Sequence, residues 1–377
     1  MTNSAVGVIV CIVVSTLVQG VLKLALKPIT EAGETMSQLS ERKKIILASV
    51  VEHFIKTGEP IGSKELIAKT GLSVSSATVR NEMSELSALG YLDQPHTSAG
   101  RVPSDKGYRY YVDNLMHHRE VDEISKRMMQ AGIASAQGDP EKLIEHASEV
   151  LSELTHYAAV STTPGGECTV IRRIELVPVS TRSAMLVILT SNGILKSRLC
   201  RLETPLTARI CESFYNIAQS TLVGRQASEI SVASMQTVAA SLGSDVLAMF
   251  PMLAAVCELA QSTAQIQILL EGQSNLLANS EYGDNALELM NFLNKEEPLN
   301  RVISNSKGEL DVTIGNENIY RQLEKSSVIL AKYSVRGQDA GSIGLIGPKR
   351  MDYETVIPNV RYLTGLVGRL IEQALEE

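Results

Sequence analysis

Cysteine and histidine are too few and too scattered in this chain to form a metal site or a disulfide framework. The chain has 5 cysteines and 6 histidines, and no cysteine belongs to a C-x-x-C pair or has a histidine partner nearby. The adjacent His117 and His118 are interpreted as a solvated helix end. An odd number of separated cysteines is typical of a reducing compartment, so we expect a cytoplasmic protein without disulfides or a bound metal.

The sequence motifs of common enzyme classes are also missing. There is no G-x-S-x-G elbow and no H-E-x-x-H pair. Residues 341–349 have the glycine content of a phosphate-binding loop, but they lack the G-x-x-x-x-G-K-[ST] register, and Pro348 removes a backbone N–H donor. We therefore expect neither an enzyme nor a cofactor, while an active site assembled from distant residues stays open.

A large excess of basic residues, which would indicate a nucleic-acid partner, is missing as well. The formal net charge is −7, but residues 37–120 carry 11 Lys and Arg against 10 Asp and Glu, whereas residues 121–377 carry 22 against 30. The acidity belongs to the second segment and leaves residues 37–120 open to a DNA partner. A length of 377 residues with 44% apolar and 20% charged residues predicts a soluble protein of two or three domains.

The first 36 residues form an apolar extension. Ser4 to Leu22 contains no charged residue, which raises the hypothesis of a short transmembrane or signal segment. No Lys or Arg precedes this run, and Gly, Ser, Thr and Gln residues dilute it. We favour the interpretation that translation begins at Met36 and that the preceding stretch is an artefact of start assignment. A membrane anchor is the second interpretation, and no membrane partner is expected.

Residues 37–120 have the pattern of short helices around a β-hairpin. Each predicted helix follows a serine that can cap it, and the first three end near a glycine. The predicted helices are Glu41–Thr57, Lys64–Thr70, Ser76–Leu89 and a fourth from Ser104-Asp105 to Met116. Residues 91–103 read as two strands joined by a Thr97–Gly100 turn. A helix-turn-helix followed by a hairpin is a winged helix, although a plain helical bundle without a ligand stays open.

The third predicted helix has the two faces of a DNA-recognition helix. Apolar side chains follow one face at three- and four-residue steps. The other face presents hydrogen-bonding side chains near the N-terminus of the helix, where a recognition helix enters the major groove. These side chains belong to Ser76, Thr78, Arg80 and Asn81. At the tip of the hairpin, Ser98 and Arg101 are expected to reach the sugar-phosphate backbone or the minor groove.

Five segments of the chain closely resemble HrcA, the family of heat-inducible transcription repressors of bacteria. They are LSER at 39–42, TGEPIGS at 57–63, SSATVRNEM at 75–83, TSAGRVPSDKGYR at 97–109 and IGPKRMDY at 346–353. The resemblance covers nearly everything from Ser37 onward and leaves out the first 36 residues. It implies a repressor that binds an inverted-repeat operator, called CIRCE, ahead of chaperonin and DnaK-type chaperone operons.

The same resemblance implies a homodimer, release from DNA on heat stress, and a GroEL-type chaperonin partner that keeps the repressor active. Dimerisation also has a physical basis, since one winged helix reads too few base pairs and a two-fold dimer matches an inverted repeat. The residues expected to bind DNA are Ser63, Lys64, Ser75, Ser76, Thr78, Arg80, Asn81, Ser98, Arg101, Lys106 and Arg109.

The remaining two-thirds of the chain predict an α+β domain with a helical insertion. Helices are expected over 120–155, with a break at Gly138–Pro140, and a closing helix over Tyr353–Glu377. The strands Val170–Val179, Ala184–Thr190 and Ile194–Leu199 are expected to share one sheet with Ser327–Val335 and Gly341–Gly347. The segment 206–271 has helical spacing, and its small residues at 232–255 fit either an internal core or a subunit interface.

The sequence thus predicts a multidomain α+β protein. Its segments are an N-terminal extension (1–36), a winged-helix domain (37–120), a GAF-like domain in two parts (121–204 and 281–377) and an inserted, mainly helical dimerising domain (205–280). The terms GAF-like and dimerising come from the family resemblance. The alternative hypothesis is a small-molecule-sensing or catalytic α+β protein that uses its winged helix for protein contacts.

Overall fold

The computed structural model describes residues 39–96, 99–117, 119–136, 138–166, 169–240 and 246–376. The apolar N-terminal extension and Ser98, at the tip of the predicted hairpin, lie outside the described residues. The packing described below is that within the unit Ile46–Glu377.

The first three helices confirm the sequence prediction to within one residue at their ends. They are α1 (Glu41–Thr57), α2 (Ser63–Thr70) and α3 (Ser76–Ala88). The Ser75 side chain caps α3 by accepting a hydrogen bond from the Thr78 N–H. Gly71 ends α2 in the left-handed conformation, with φ of 66°, which glycine adopts without steric cost.

A short antiparallel hairpin and a fourth helix follow, also as predicted. The strands are β1 (Leu92–Asp93) and β2 (Val102–Pro103), and the helix is α4 (Asp105–Tyr110), which continues into a π-helical turn over Tyr111–Leu115. Ser104 caps α4 by accepting from the Gly107 N–H. The hairpin is tied to the α1–α2 loop because Ile61 and Arg101 exchange two backbone hydrogen bonds, of 3.1 and 2.9 Å.

A five-stranded antiparallel sheet in the order β7-β3-β10-β9-β8 forms the centre of the chain's second part. Its strands are β3 (Ala158–Thr162), β7 (Ile268–Glu271), β8 (Leu310–Ile314), β9 (Ser326–Val335) and β10 (Gln338–Pro348). The helices α6 (Pro140–Thr155) and α13 (Tyr353–Glu376) pack on one face, with α5 (Glu123–Ile133) beside them. The helices α10 (Ser274–Ala278), α11 (Ala286–Leu293) and α12 (Glu296–Ser304) share an apolar core with the other face.

A second, three-stranded antiparallel sheet in the order β4-β5-β6 corrects the sequence prediction. Its strands are β4 (Ile171–Ser180), β5 (Ser183–Thr190) and β6 (Leu195–Arg201). We expected these strands to share a sheet with 327–347, and that expectation was wrong. Their apolar side chains instead share one core with the helices α7 (Ala208–Ile217), α8 (Val232–Ala240) and α9 (Val246–Ala264). The predicted division at residue 204 cuts through this core.

Among the described residues, one helix is long and apolar enough to cross a membrane by composition. It covers Leu247–Ala264 in α9, and half of that window is buried inside the protein. It packs against α7, α8, β5 and β6, which is the environment of a core helix in a two-layer α/β unit.

Candidate nucleic-acid interface

The polar end of α3 is presented on the surface, with the apolar face of the same helix buried. Val79 and Leu86 are fully buried, whereas Arg80 and Asn81 are exposed and Ser76 and Thr78 are partly exposed. The two faces differ because an α-helix has 3.6 residues per turn and the apolar residues of α3 recur at three- and four-residue steps. The helix therefore projects its hydrogen-bonding side chains while its core contacts keep it in place.

The first turn of α3 is held by its own serine and threonine. The Ser75 hydroxyl accepts from the Thr78 N–H at 3.1 Å and pairs with the Thr78 hydroxyl at 2.9 Å. Among the described residues no side chain pairs with the Arg80 guanidinium, which leaves its hydrogen-bond donors available to a ligand. Arg80 is the group of this surface best suited to a phosphate or a guanine edge, since it presents a planar fork of donors.

A polar cleft of about 410 Å³ joins α3 to the hairpin and to the start of α2. Three of the residues predicted to bind DNA meet there, namely Ser63, Arg80 and Arg101. Arg101 is oriented by a hydrogen bond from its Nε to the Ser87 hydroxyl at 3.0 Å. Lys64 lies exposed in the first turn of α2. Elements separated by up to 38 positions in the sequence thus contribute to one surface.

The cleft also contains residues that the sequence analysis missed. Ser84 and Gln94 line it, and the Gln94 side chain donates to the Ala99 carbonyl at 3.2 Å across the hairpin. Ser84 could have been found from its spacing, because it lies four residues after Arg80 and therefore on the same face of α3. Gln94 carried no such signal, since its position depends on how the hairpin folds back.

Two predicted DNA contacts lie apart from this cleft. Lys106 donates to the Leu89 carbonyl at 3.1 Å and stacks 4.7 Å from the centre of the Tyr91 ring. A cation at this position satisfies the C-terminal end of α3 and opposes its negative dipole. That end is the opposite one from Ser76 and Arg80.

Arg109 is engaged with carboxylates and a carbonyl of the chain itself. Its guanidinium pairs with Glu317 and Asp113 and donates to the Val312 carbonyl. The hydrogen bonds that Arg109 donates to the Glu317 carboxylate are the main reason that the pKa of Arg109 lies above its ordinary value. The structure therefore does not bring Arg109 together with the residues of the cleft.

A buried histidine supports the helices behind the cleft. His53 on α1 is 8% exposed, and it contacts Lys69 on α2 and lies 3.3 Å from the Thr57 hydroxyl. Burial, followed by the positive charge of Lys69, lowers the pKa of His53 below its ordinary value. The ring is therefore neutral at pH 7 and joins α1 to α2 as a polar core residue.

The described residues contain no group of three or more His, Cys, Asp and Glu that could hold a metal ion. The thiols of Cys200 and Cys257 are buried, and burial raises their pKa, which disfavours the nucleophilic thiolate. The glycine-rich stretch 341–349 lies mostly within β10 of the sheet and does not form a loop around an anion. The surface between α3 and the hairpin remains the site with a clear binding chemistry.

Several known proteins of one family are similar to this chain. The family model described as the HrcA protein C-terminal domain matches residues 141–357. The heat-inducible transcription repressor HrcA of Acetivibrio thermocellus is 31% identical over 342 residues, covering 89% of this chain and 97% of that protein. The repressor of the same name from Geobacter sulfurreducens is 32% identical over 346 residues, covering 89% and 99% of the two chains.

A solved structure gives the same fold. The crystal structure of a hypothetical protein at 2.2 Å resolution aligns with a TM-score of 0.59 and 23% identity, covering 89% of this chain and 100% of that one. The identity of the curated relatives over nearly their whole length assigns the family, whose members are transcription repressors and not enzymes. The chain therefore belongs to the HrcA family of heat-inducible transcription repressors.

Proposed function

We propose that this chain represses heat-shock operons by binding an inverted-repeat CIRCE operator as a cytoplasmic homodimer. The observation that carries the proposal is the exposed polar end of α3, which lies beside a cleft shared with the hairpin and the start of α2. In this arrangement α1 to α4 form a winged helix-turn-helix, α3 is its recognition helix, and the hairpin is its wing.

Each residue at the surface is assigned a role by its chemistry. Arg80 reads guanine or contacts a phosphate, and Asn81 is suited to the two hydrogen-bonding atoms of adenine in the major groove. Thr78 offers a methyl group to thymine, and its hydroxyl is already paired with Ser75. Arg101 on the wing enters the minor groove, where the negative potential favours arginine. Three further candidates, Ser63, Lys64 and Ser76, are assigned to the sugar-phosphate backbone.

The two sheets are proposed as two domains of the family architecture. The five-stranded sheet with α6, α13 and α10 to α12 is the GAF-like domain, and the unit around β4 to β6 is the inserted dimerising domain. The apolar core shared by β4 to β6 with α7 to α9 supports an insertion that begins before β4. The insertion then covers about 169–264 instead of 205–280.

The outer face of β4 to β6 is our candidate for the dimer interface. Val177, Met185 and Leu199 form one row across the three strands, and Val177 and Leu199 are 51% and 47% exposed. An isologous pair brings the same patch of both subunits together, so this apolar row would pack against its own copy. We expect Leu199→Glu to convert a dimer to a monomer in sedimentation, and Leu287→Glu, an exposed leucine on α11, to leave the dimer intact. Equal behaviour of the two variants would contradict this interface.

The test of the DNA site is a gel-shift titration with inverted-repeat DNA at several salt concentrations. We expect Arg80→Ala to weaken binding about 5- to 140-fold, which corresponds to the loss of about 1–3 kcal/mol expected for a base-reading arginine. The control is Arg301→Ala, which removes an exposed arginine of α12 that pairs with Glu297. Asn81→Ala should relax the preference for one base pair with little change in the salt dependence. Normal operator binding by the Arg80→Ala variant would overturn the role assigned to Arg80, and failure of the unaltered chain to bind the inverted repeat would overturn this function.

The proposed regulation is tested in the same assay. A GroEL-type chaperonin is proposed to keep the repressor in its active form, and heating is proposed to release it from the operator. We expect purified chaperonin to raise the fraction of the chain that binds operator after a heat treatment. An unchanged active fraction at all chaperonin concentrations would contradict this part of the proposal.

A further inference from the structure

Residues 348–354, which run from the end of β10 through the turn into the start of α13, contact the winged helix through three side chains. We call this stretch the junction segment. Lys349 forms an ion pair with Asp105 at 2.6 Å. Arg350 donates to the Ile55 carbonyl at 3.2 Å and pairs with Glu281 on its other side. These contacts bind the segment to both α1 and α4 of the winged helix.

Glu354, the third of these side chains, is the most buried. It is 6% exposed, and it accepts hydrogen bonds from the Tyr111 hydroxyl at 3.0 Å and from the His117 N–H at 3.2 Å. Arg119 completes the group with an ion pair of 2.7 Å. A buried carboxylate with three donors is held in one geometry, since losing a donor leaves its charge desolvated.

A second contact, centred on Arg109, lies at the edge of the five-stranded sheet. Arg109 pairs with Glu317 and donates to the Val312 carbonyl of β8. Beside it, the Asp105 carboxylate accepts from the Asn316 N–H at 3.0 Å. Gly315 has φ of 55°, and a Cβ at this position would lie 2.2 Å from the Asp105 carboxylate. Only glycine allows this close approach, so the loop after β8 is shaped to hold Asp105.

These two contacts meet at Asp105 of α4, and the junction segment also holds the winged helix at Ile55 of α1. Arg109 and Glu317 are 28% and 34% exposed, and Asp105 and Lys349 are 19% and 34% exposed. Ion pairs at this depth are less screened by solvent than pairs on the open surface. Arginine also holds a carboxylate in a fixed direction through its planar fork of donors. Contacts at both α1 and α4 fix an angle, whereas a contact at one place would act as a pivot.

We propose that the junction segment and the Arg109–Glu317 pair are positioning residues, which set the angle between the winged helix and the α+β domain. A dimer reads an inverted repeat only if both recognition helices face their half-sites together. Arg109 then supports operator binding through Glu317 and not through a DNA phosphate. This inference rests on the proposed function, because the angle matters only if two winged helices bind one operator.

The test compares Arg109→Gln, Glu317→Gln and the double variant on a full inverted repeat and on a single half-site. We expect each single variant to weaken binding to the full repeat about tenfold, to keep half-site binding within about twofold, and to equal the double variant. A loss in Glu317→Gln is diagnostic, because removing a negative charge otherwise favours DNA binding. Glu297→Gln, which removes an exposed carboxylate from α12, is the matched control and is expected to lose nothing.

Two other results in this experiment would overturn the proposal. If Arg109 contacts a phosphate, Arg109→Gln weakens both DNAs equally and lowers the salt slope by about one unit, while Glu317→Gln does not weaken binding. If neither variant changes binding to the full repeat, the angle is set elsewhere.

A measurement without DNA separates this proposal from the proposed function. The Asn316 N–H donates to the Asp105 carboxylate, so we expect it to exchange slowly with solvent. Faster exchange in Arg109→Gln and in Glu317→Gln supports the contact even if the unaltered chain binds no operator. In that case the proposed function fails while the contact stands. Unchanged exchange at Asn316 in both variants would overturn the contact itself.

Discussion

Gly100 is the residue at which the smallest change should detach the wing from the helices. A Cβ added at Gly100 would lie 2.3 Å from the Ile61 carbonyl oxygen and 2.9 Å from the Ile61 nitrogen. These are the two atoms that exchange hydrogen bonds with Arg101. The backbones of 61 and 100 must separate in Gly100→Ala, because carbon and a backbone atom cannot approach so closely.

The expected effect follows from the two hydrogen bonds that this separation breaks. Each backbone hydrogen bond contributes about 0.5–1.5 kcal/mol net, so the local stability of the wing should fall by about 1–3 kcal/mol. Amide exchange by local opening reports this free energy directly. We therefore expect the amides of Ile61 and Arg101 to exchange about 5- to 140-fold faster in Gly100→Ala.

The control for this substitution is Gly62→Ala. Gly62 adjoins the same pair of hydrogen bonds, but no atom lies within 4 Å of its added Cβ, and its φ of −92° suits any residue. We expect exchange at Ile61 and Arg101 to stay unchanged in Gly62→Ala. Unchanged exchange in Gly100→Ala, in a protein that is otherwise folded, would refute the close approach of the wing to the α1–α2 loop.

Two further predictions concern the core of the winged helix. Leu86→Ala should lower the free energy of unfolding by about 2–5 kcal/mol, because Leu86 is fully buried. Leu89→Ala, at a position that is 40% exposed, should change the free energy of unfolding by less than about 1 kcal/mol. Equal losses for the two variants in urea titrations would contradict the assigned faces of α3. His53 has a lowered pKa because of burial and Lys69, so its contribution to stability is complete above its unfolded pKa of 6.5 and is lost as the pH falls through its folded pKa. His53→Gln should therefore flatten the pH dependence of the unfolding free energy below about pH 6.5, and an unchanged slope would show that the ring does not titrate as inferred.

The helices around the recognition surface could be predicted because their signals are local. Ser75 and Ser104 cap the helices that follow them, and Gly71 ends the one before. Capping and three- or four-residue spacing act within one or two turns, so a single sequence contains the whole signal. The hairpin was also predictable, since its turn and its two strands lie within 13 residues.

The pairing of strands could not be predicted in the same way. The alternating pattern of β4 to β6 resembles that of an outer strand of any sheet, and nothing in it identifies the partner strand. The sequence analysis missed β3, whose residues Ala158–Thr162 are all buried and therefore show no alternation. It also assigned β7 to the helical segment, because four residues are too few to interrupt that pattern.

The residues of the candidate site also fall into two groups, those whose role local sequence could predict and those whose role depends on a distant partner. Arg80 and Arg101 were found because a helix face and a hairpin tip determine where they point. Arg109 was assigned to DNA on the family resemblance, and its contact with Glu317 joins residues 208 positions apart. A salt bridge between residues so far apart gives no signal in the local sequence. The role of a basic residue near a DNA-binding motif therefore depends on which residue it contacts in the folded chain.

The geometry also indicates how small a change at the junction would suffice to release an operator. Lys106 holds the C-terminal end of α3, and the 13 residues of this helix carry its polar end about 20 Å further away. A rotation of about 10° at the junction would therefore move the N-terminal end of α3, at Ser76, by about 3.5 Å, which is close to the 3.4 Å rise of one base pair along a strand. The wing would move with it, because Arg101 is tied to Ile61 and Ser87. A shift of one base pair in one half-site puts the second helix out of register, so repression could end while every helix of the winged domain stays folded.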